Sequence, residues 1–164
     1  MVRMIGLYAG SFDPVHLGHL DIIEAASQQC SQVYVAVLRN PTKGSGLIPL
    51  DDRNDILRRC VRDMRHVLVA SYEGLLIRLA QELGADTLIR GAVREPLSEM
   101  QMALTNNDLA DLPTMFIPCR PEHSHISSSL VRALLTDRGA AAVKSLVPEP
   151  VFEWLHQMES QSLE

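Results

Sequence analysis

Met4–His19 reads MIGLYAGSFDPVHLGH, and the fold follows from how that stretch changes character partway along. Met4–Tyr8 is a continuous apolar run of strand length, the pattern of a strand buried on both faces. Ala9-Gly10 ends it, and Asp13-Pro14 marks a turn. From His19 to Gln29 the apolar residues Leu20, Ile22, Ile23 and Ala26 recur at helical spacing. A buried strand, a Gly- and Pro-bearing loop and a helix form the first half of a βαβ unit.

The same alternation continues along the chain. Gln32–Leu38, Val67–Ala70, Thr87–Ile89 and Thr114–Ile117 read as further strands, the first of them rich in β-branched residues. Helical patterns fall on Leu50–Met64, with acids in its first turn, on Leu75–Leu83, closed by Gly84, and on Ser98–Leu109, Ser128–Thr136 and Val151–Met158. Asn40–Gly46, with one Pro and two Gly, reads as a loop. Five short apolar strands separated by helices predict an α/β fold: a Rossmann-like, doubly wound five-stranded parallel sheet with helices on both faces. The 164 residues suit one domain spanning 1–164, with a C-terminal helix at about 150–160.

Composition narrows the function classes. Fifteen Lys and Arg against 20 Asp and Glu leave a formal charge of −5, which argues against a general DNA or RNA binder. The 46% hydrophobic content is too high for a disordered chain. No apolar run approaches the roughly 20 residues of a membrane helix, and an apolar run beginning at Met4 argues against a cleaved signal peptide. Cys30, Cys60 and Cys119 stand far apart with no CxxC, as in reduced thiols of a cytoplasmic protein, and no spacing supports a metal site.

Ligands of such sheets bind at the carboxyl ends of the strands. That rule selects Ala9–His19, Arg39–Lys43, Arg90–Arg94 and Arg120–Ser129. In the first, Gly10 lets a ligand approach the backbone, Ser11 offers a hydroxyl, and His16 and His19 flank Gly18 at a helix start, where partial positive charge favours anions. The alternative is a plain turn with the histidines as caps. Lys43 is a point charge suited to phosphate, or an ordinary solvated lysine. Arg90 ends a buried strand, where an Arg calls for an anionic partner: a ligand phosphate, or an acid such as Glu99 or Asp86. Ser127, Ser128 and Ser129 open a helix, so one of them caps it and the group forms a second phosphate cradle.

Gly10-Ser11-Phe12-Asp13-Pro14 followed by His16-Leu17-Gly18-His19 resembles the signature of the nucleotidyltransferase superfamily with the HxGH or TxGH motif. Further stretches resemble its phosphopantetheine adenylyltransferase branch: Asn40-Pro41-Thr42-Lys43, Tyr72-Glu73-Gly74-Leu75-Leu76, Leu88-Ile89-Arg90-Gly91, Glu99-Met100-Gln101 with Asn106, and Ile126-Ser127-Ser128-Ser129-Leu130-Val131-Arg132. The resemblance covers almost the whole chain. It implies adenylyl transfer from ATP to 4′-phosphopantetheine, giving dephospho-coenzyme A and pyrophosphate. Other acceptors used in the superfamily, such as nicotinate mononucleotide, are the alternative; so is a nucleotide-binding regulator that has lost turnover.

Carried onto this sequence, the resemblance implies catalytic roles for His19, Lys43 and Arg90. It implies ATP contacts from Gly10, Ser11, Phe12, His16, Gly18, His19, Gly91, Glu99, His123, Ser124, His125, Ile126, Ser127, Ser128 and Ser129, with His123 and His125 either replacing the usual aromatics at the nucleotide or standing as solvated loop residues. Ser11, Lys43, Leu75, Leu76 and Arg90 would meet the acceptor, although leucines at helical spacing also read as core. Glu99 would bond the ATP ribose or form a surface ion pair. Mg2+ would arrive with ATP, and the family forms homo-oligomers, typically hexamers. The chain departs from the branch in three places. The segment after Gly91 is two residues shorter and leaves the role of Arg94 open, His123-Ser124-His125 replaces the usual Trp-Ser-Phe, and Asn107 replaces an Arg.

Overall fold

The computed structural model describes residues 3–39, 44, 46–91 and 96–162. In chain order the elements are β1 (Ile5–Gly10), α1 (Leu17–Gln29), β2 (Gln32–Leu38), α2 (Leu50–Val61), β3 (Val67–Tyr72), α3 (Leu76–Leu83), β4 (Thr87–Gly91), α4 (Pro96–Ala110), β5 (Thr114–Ile117), α5 (Ser128–Arg138) and α6 (Glu149–Gln161). Short 3-10 turns cover Pro121–His123 and Ala140–Val143.

The strands pair in parallel in the order β3-β2-β1-β4-β5. Leu7 on β1 lies between Tyr34 on β2 and Leu88 on β4. The pleat sends alternate side chains to opposite faces. On β2, Val33, Val35 and Val37 join a large cluster with Ile23 of α1, Leu57 of α2, Val131 of α5 and Leu155 of α6. Leu7, Ala36 and Leu88 face the other way, against Leu79 and Ala80 of α3. The continuous apolar strand runs therefore reflect a sheet covered on both faces, as the sequence predicts.

The strand order fixes where a ligand can sit. From β1 the chain winds outward through β2 to β3, then crosses back to β4 on the other side of β1. Between β1 and β4 the flanking connections diverge and leave a crevice beyond the carboxyl ends of the strands.

Several boundaries differ from the sequence reading. β1 runs on to Gly10 and β3 to Tyr72, because parallel pairing with β2 continues through Gly10↔Val37 and Leu38↔Tyr72. α2 stops at Val61, three residues early, and the chain reaches β3 through a turn in which His66 has φ 63°. α3 starts at Leu76, leaving Leu75 as its 68%-exposed N-cap. The most consequential shift is at α1, which begins at Leu17 rather than His19, with His16 as N-cap. No helix among the described residues is long and apolar enough to cross a membrane.

Candidate active site

At the crevice between β1 and β4 lies a cavity of about 340 Å³. Residues 8–12 form its floor, His16, Gly18, His19 and Ile22 come from α1, Arg90 and Gly91 end β4, and Cys119, Ser124, Ile126 and Ser127 close the far side. Three of the four sequence-selected segments thus meet at one place.

The GSFDP loop is held from several directions. Asp13, only 6% exposed, accepts from the Leu47 and Ile48 amides at 2.8 Å each. Arg53 is buried beside it, with Nε 3.6 Å from the Asp13 carboxylate; it donates to the Ile48 carbonyl (2.6 Å) and the Ser11 carbonyl (3.2 Å). Arg132 donates to the Asp13 carbonyl (2.6 Å), and the Ser128 hydroxyl to the Pro14 carbonyl (2.8 Å). Phe12 has φ 44°, a costly conformation for a bulky residue. That backbone seats its buried ring against Tyr8 and edge-on to His19, at centroid distances of 5.4 and 5.0 Å.

Because α1 starts at Leu17, His16 and His19 occupy the N-cap and third helical positions, on one face of the first turn. Their rings stack with centroids 3.7 Å apart. The His16 backbone N–H donates to His19 Nδ1 (3.1 Å), so a neutral His19 carries its proton on Nε2. Burial, then the neighbouring His16, holds the His19 pKa well below the usual imidazole value. Burial and then His123 lower His16 to about 4, with Asp21 pulling weakly the other way. Its Nδ1 is buried without a hydrogen-bond partner among the described residues. A Cβ on Gly18 would sit 3.1 Å from the His16 ring and 3.6 Å from the His123 carbonyl oxygen. Gly18 thus lets these groups close in, besides lining the cavity. At Gly91 a Cβ would lie 2.7 Å from the Ile22 Cδ1, so a side chain there would have to push the end of Ile22 aside where α1 meets β4.

On the far side Ser127 is the N-cap of α5: its Oγ accepts from the Leu130 N–H (3.1 Å). Of the serine trio, Ser127 alone lines the cavity; Ser128 is turned to Pro14 and the Ser129 Oγ accepts from Arg132 (3.2 Å). Ser124 and Ile126 line the wall, whereas His123 and His125 do not. His123 points Nδ1 at Asp21 (2.7 Å). Leu75 and Leu76 lie off the cavity, Leu76 packed partly buried beside the α3 cluster. The Arg90 guanidinium, at the end of β4, contacts the Met102 sulfur of α4. Asp86, one candidate partner for Arg90, accepts from the Ile5 amide (2.7 Å). Lys43, Arg94 and the Glu99 side chain lie outside the described residues.

Asp21, Arg53 and Tyr8 were not singled out by sequence. For the first two a signal existed. Asp21 falls on the buried stripe of α1 with Gly18, Ile22 and Ala26, and Arg53 on that of α2 with Ile56, Leu57 and Val61. A charge on an apolar stripe has a partner to reach.

A parallel doubly wound sheet, a cavity at its switch point, and two helix N-termini with imidazole and hydroxyl groups converging there define the class: an α/β protein built to hold a nucleotide polyphosphate. Known proteins agree. The cytidylyltransferase-like family model matches residues 7–134. A phosphopantetheine adenylyltransferase of Gloeobacter violaceus is 43% identical over 90% of this chain and 92% of its own length, and one of Streptomyces coelicolor 42% identical over 89% and 91%. A Vibrio parahaemolyticus structure provisionally assigned as a nicotinate-nucleotide adenylyltransferase superposes with TM-score 0.69 over 94% of this chain and 99% of that one; at 18% identity it shows the shared fold. The chain belongs to the phosphopantetheine adenylyltransferase family, within the cytidylyltransferase-like group.

Proposed function

We propose that the chain transfers the adenylyl group of MgATP to 4′-phosphopantetheine, releasing pyrophosphate. The carrying observation is that His19, Arg90 and the Ser127 cap of α5 line one cavity, the first on the β1 side, the second at the β4 end and the third across from both.

An acceptor phosphate oxygen forms the new bond to the α-phosphorus of ATP while the α–β bridging oxygen leaves with pyrophosphate. The nucleophile is already ionised near neutral pH, so positioning and charge stabilisation suffice. His19 fits the second task. Its Nδ1 accepts from His16, which leaves Nε2–H as a fixed donor for charge building on the transferring group. Its lowered pKa keeps it neutral at working pH, a donor rather than a cation. The first turns of α1 and α5 add the positive ends of two helices, suited to the triphosphate. Arg90 is assigned to the acceptor phosphate, with Lys43 joining it. No carboxylate lines the cavity among its described residues, so magnesium is read as part of the substrate, held by phosphate oxygens and water. The same reading takes residues 1–164 as one catalytic unit in the cytoplasm, assembled as a homo-oligomer.

The deciding experiment is pyrophosphate release from MgATP with 4′-phosphopantetheine, with nicotinate mononucleotide, and with no acceptor. Turnover with the first alone is expected. Turnover with nicotinate mononucleotide instead moves the chain to another substrate, and none with any acceptor favours a nucleotide-binding regulator.

A further inference from the structure

Asp21 has no part in the transfer chemistry just described, yet it is a buried carboxylate, 8% exposed, two residues beyond His19. A single atom carries two of its contacts. Oδ2 accepts from the Arg120 backbone N–H (3.0 Å) and from Nδ1 of His123 (2.7 Å). A carboxylate only accepts, so the His123 ring proton is on Nδ1. The other oxygen lies 3.7 Å from Arg120 Nε, whose guanidinium also bonds Glu24 of α1 (2.7 Å).

Arg120 and His123 are the two ends of the Pro121–His123 turn. Within it the His123 N–H donates to the Arg120 carbonyl (2.9 Å), and the Ile126 N–H to the His123 carbonyl (3.0 Å). Hydrogen bonds therefore run from the Asp21 carboxylate to Ile126, one residue before the α5 cap. Ser124, Ile126 and Ser127 form one wall of the cavity; His16, Gly18 and His19, on Asp21's own helix, form the facing one. One carboxylate joins the two walls, and an apolar residue on that stripe would pack α1 without joining them.

We propose that Asp21 is a positioning residue for the nucleotide: it clamps the 120–123 turn so that Ser124, Ile126 and Ser127 face His19 across the cavity, and His123 acts through that clamp rather than by touching the nucleotide. This rests on the nucleotide reading above. It also gives His123, where the family usually has Trp, a role: its Nδ1 donor answers Asp21.

The test is direct ATP binding by calorimetry, with the KM of each substrate, for the full chain and for Asp21→Asn, His123→Ala and His123→Asn. Asp21→Asn and His123→Ala are each expected to weaken ATP about tenfold, the scale of one charge-assisted hydrogen bond. The acceptor KM should stay within about twofold. The double variant Asp21→Asn/His123→Ala should bind ATP no worse than Asp21→Asn, because both changes remove one contact. His123→Asn, which keeps a donor near the Nδ1 position, should recover most of the affinity. A merely structural Asp21 would lower thermal stability and leave ATP affinity untouched, and that result overturns the proposal, as does an equal rise in both KM values. Should Asp21→Asn not fold, His123→Ala, at a partly exposed position, decides on its own. A wild-type chain that binds no ATP refutes the nucleotide reading itself; one that binds normally beside unaffected variants refutes only the clamp.

Discussion

His16 and His19 show how a one-turn offset in a helix start changes chemistry. As N-cap and third residue they stack and share a backbone bond, and the cavity keeps both neutral. His19→Ala removes the Nε2 donor, and with it the Nδ1 that accepts from the His16 N–H and the ring packed on His16 and Phe12. We expect kcat to fall about 10²–10³-fold, the usual loss of one preorganised donor, and the melting temperature to drop by only about 3 °C for the lost cap bond; single-turnover kinetics beside a thermal melt checks both. The titration makes a second prediction. In the unfolded chain both imidazoles protonate near 6.5, whereas the native His16 resists until about 4 and His19 is shifted the same way. Between those values the unfolded state binds more protons. The stability owed to the neutral histidines is thus complete above about pH 7 and is lost as pH falls toward 4. On the order of 3 kcal/mol is at stake for His16, and His16→Asn should flatten the slope of unfolding free energy against pH in urea titrations.

At the level of elements, helix ends and strand ends do the placing. β1 stops at Gly10, β4 at Gly91, α1 opens at Leu17 and α5 at Ser128, and those four termini surround the cavity. The stop of α3 follows the same local rules away from the site. Gly84 has φ 64°, and its amide donates to the Gln81 carbonyl (3.2 Å), while that of Ala85 donates to the Ala80 carbonyl (2.8 Å). A Cβ there would meet nothing within 4 Å, so any cost of Gly84→Ala is conformational. We expect a loss of about 1 kcal/mol, a drop in melting temperature of about 3 °C and unchanged kinetic constants, measurable by calorimetry and steady-state assay.

Across the whole molecule, three charged side chains tie distant segments together around the cavity, two of them at the loop after β1. Arg53 reaches from α2 to Ser11 and Asp13, Arg132 from α5 to Asp13, and Asp21 from α1 to Arg120 and His123. Removing one partner of a buried pair leaves the other uncompensated. Arg53→Met should therefore cost about 3 kcal/mol in chemical denaturation. It should also lower kcat, because the Ser11 carbonyl loses its anchor. Full activity in a destabilised variant would show that the loop is held well enough by Asp13 and Arg132 alone.

The sequence by itself determined the architecture and the neighbourhood of the site. Apolar runs of strand length, helical periodicity and Gly84 are local signals, and a parallel sheet places its ligand at strand ends wherever its strands sit. That is why the strand-end rule points to Ala9–His19, Arg90–Arg94 and Arg120–Ser129, from which Gly10, Ser11, His16, Gly18, His19, Arg90 and Ser127 line the cavity. Tertiary structure alone decided the rest. Whether His123 meets a ligand or a carboxylate, which serine of three turns inward, and what Asp21 and Arg53 are for all depend on side chains about 40 to 120 positions apart in the chain. No periodicity encodes such a pairing. It exists only once the two apolar faces of the sheet are buried and the remaining charges must find partners inside.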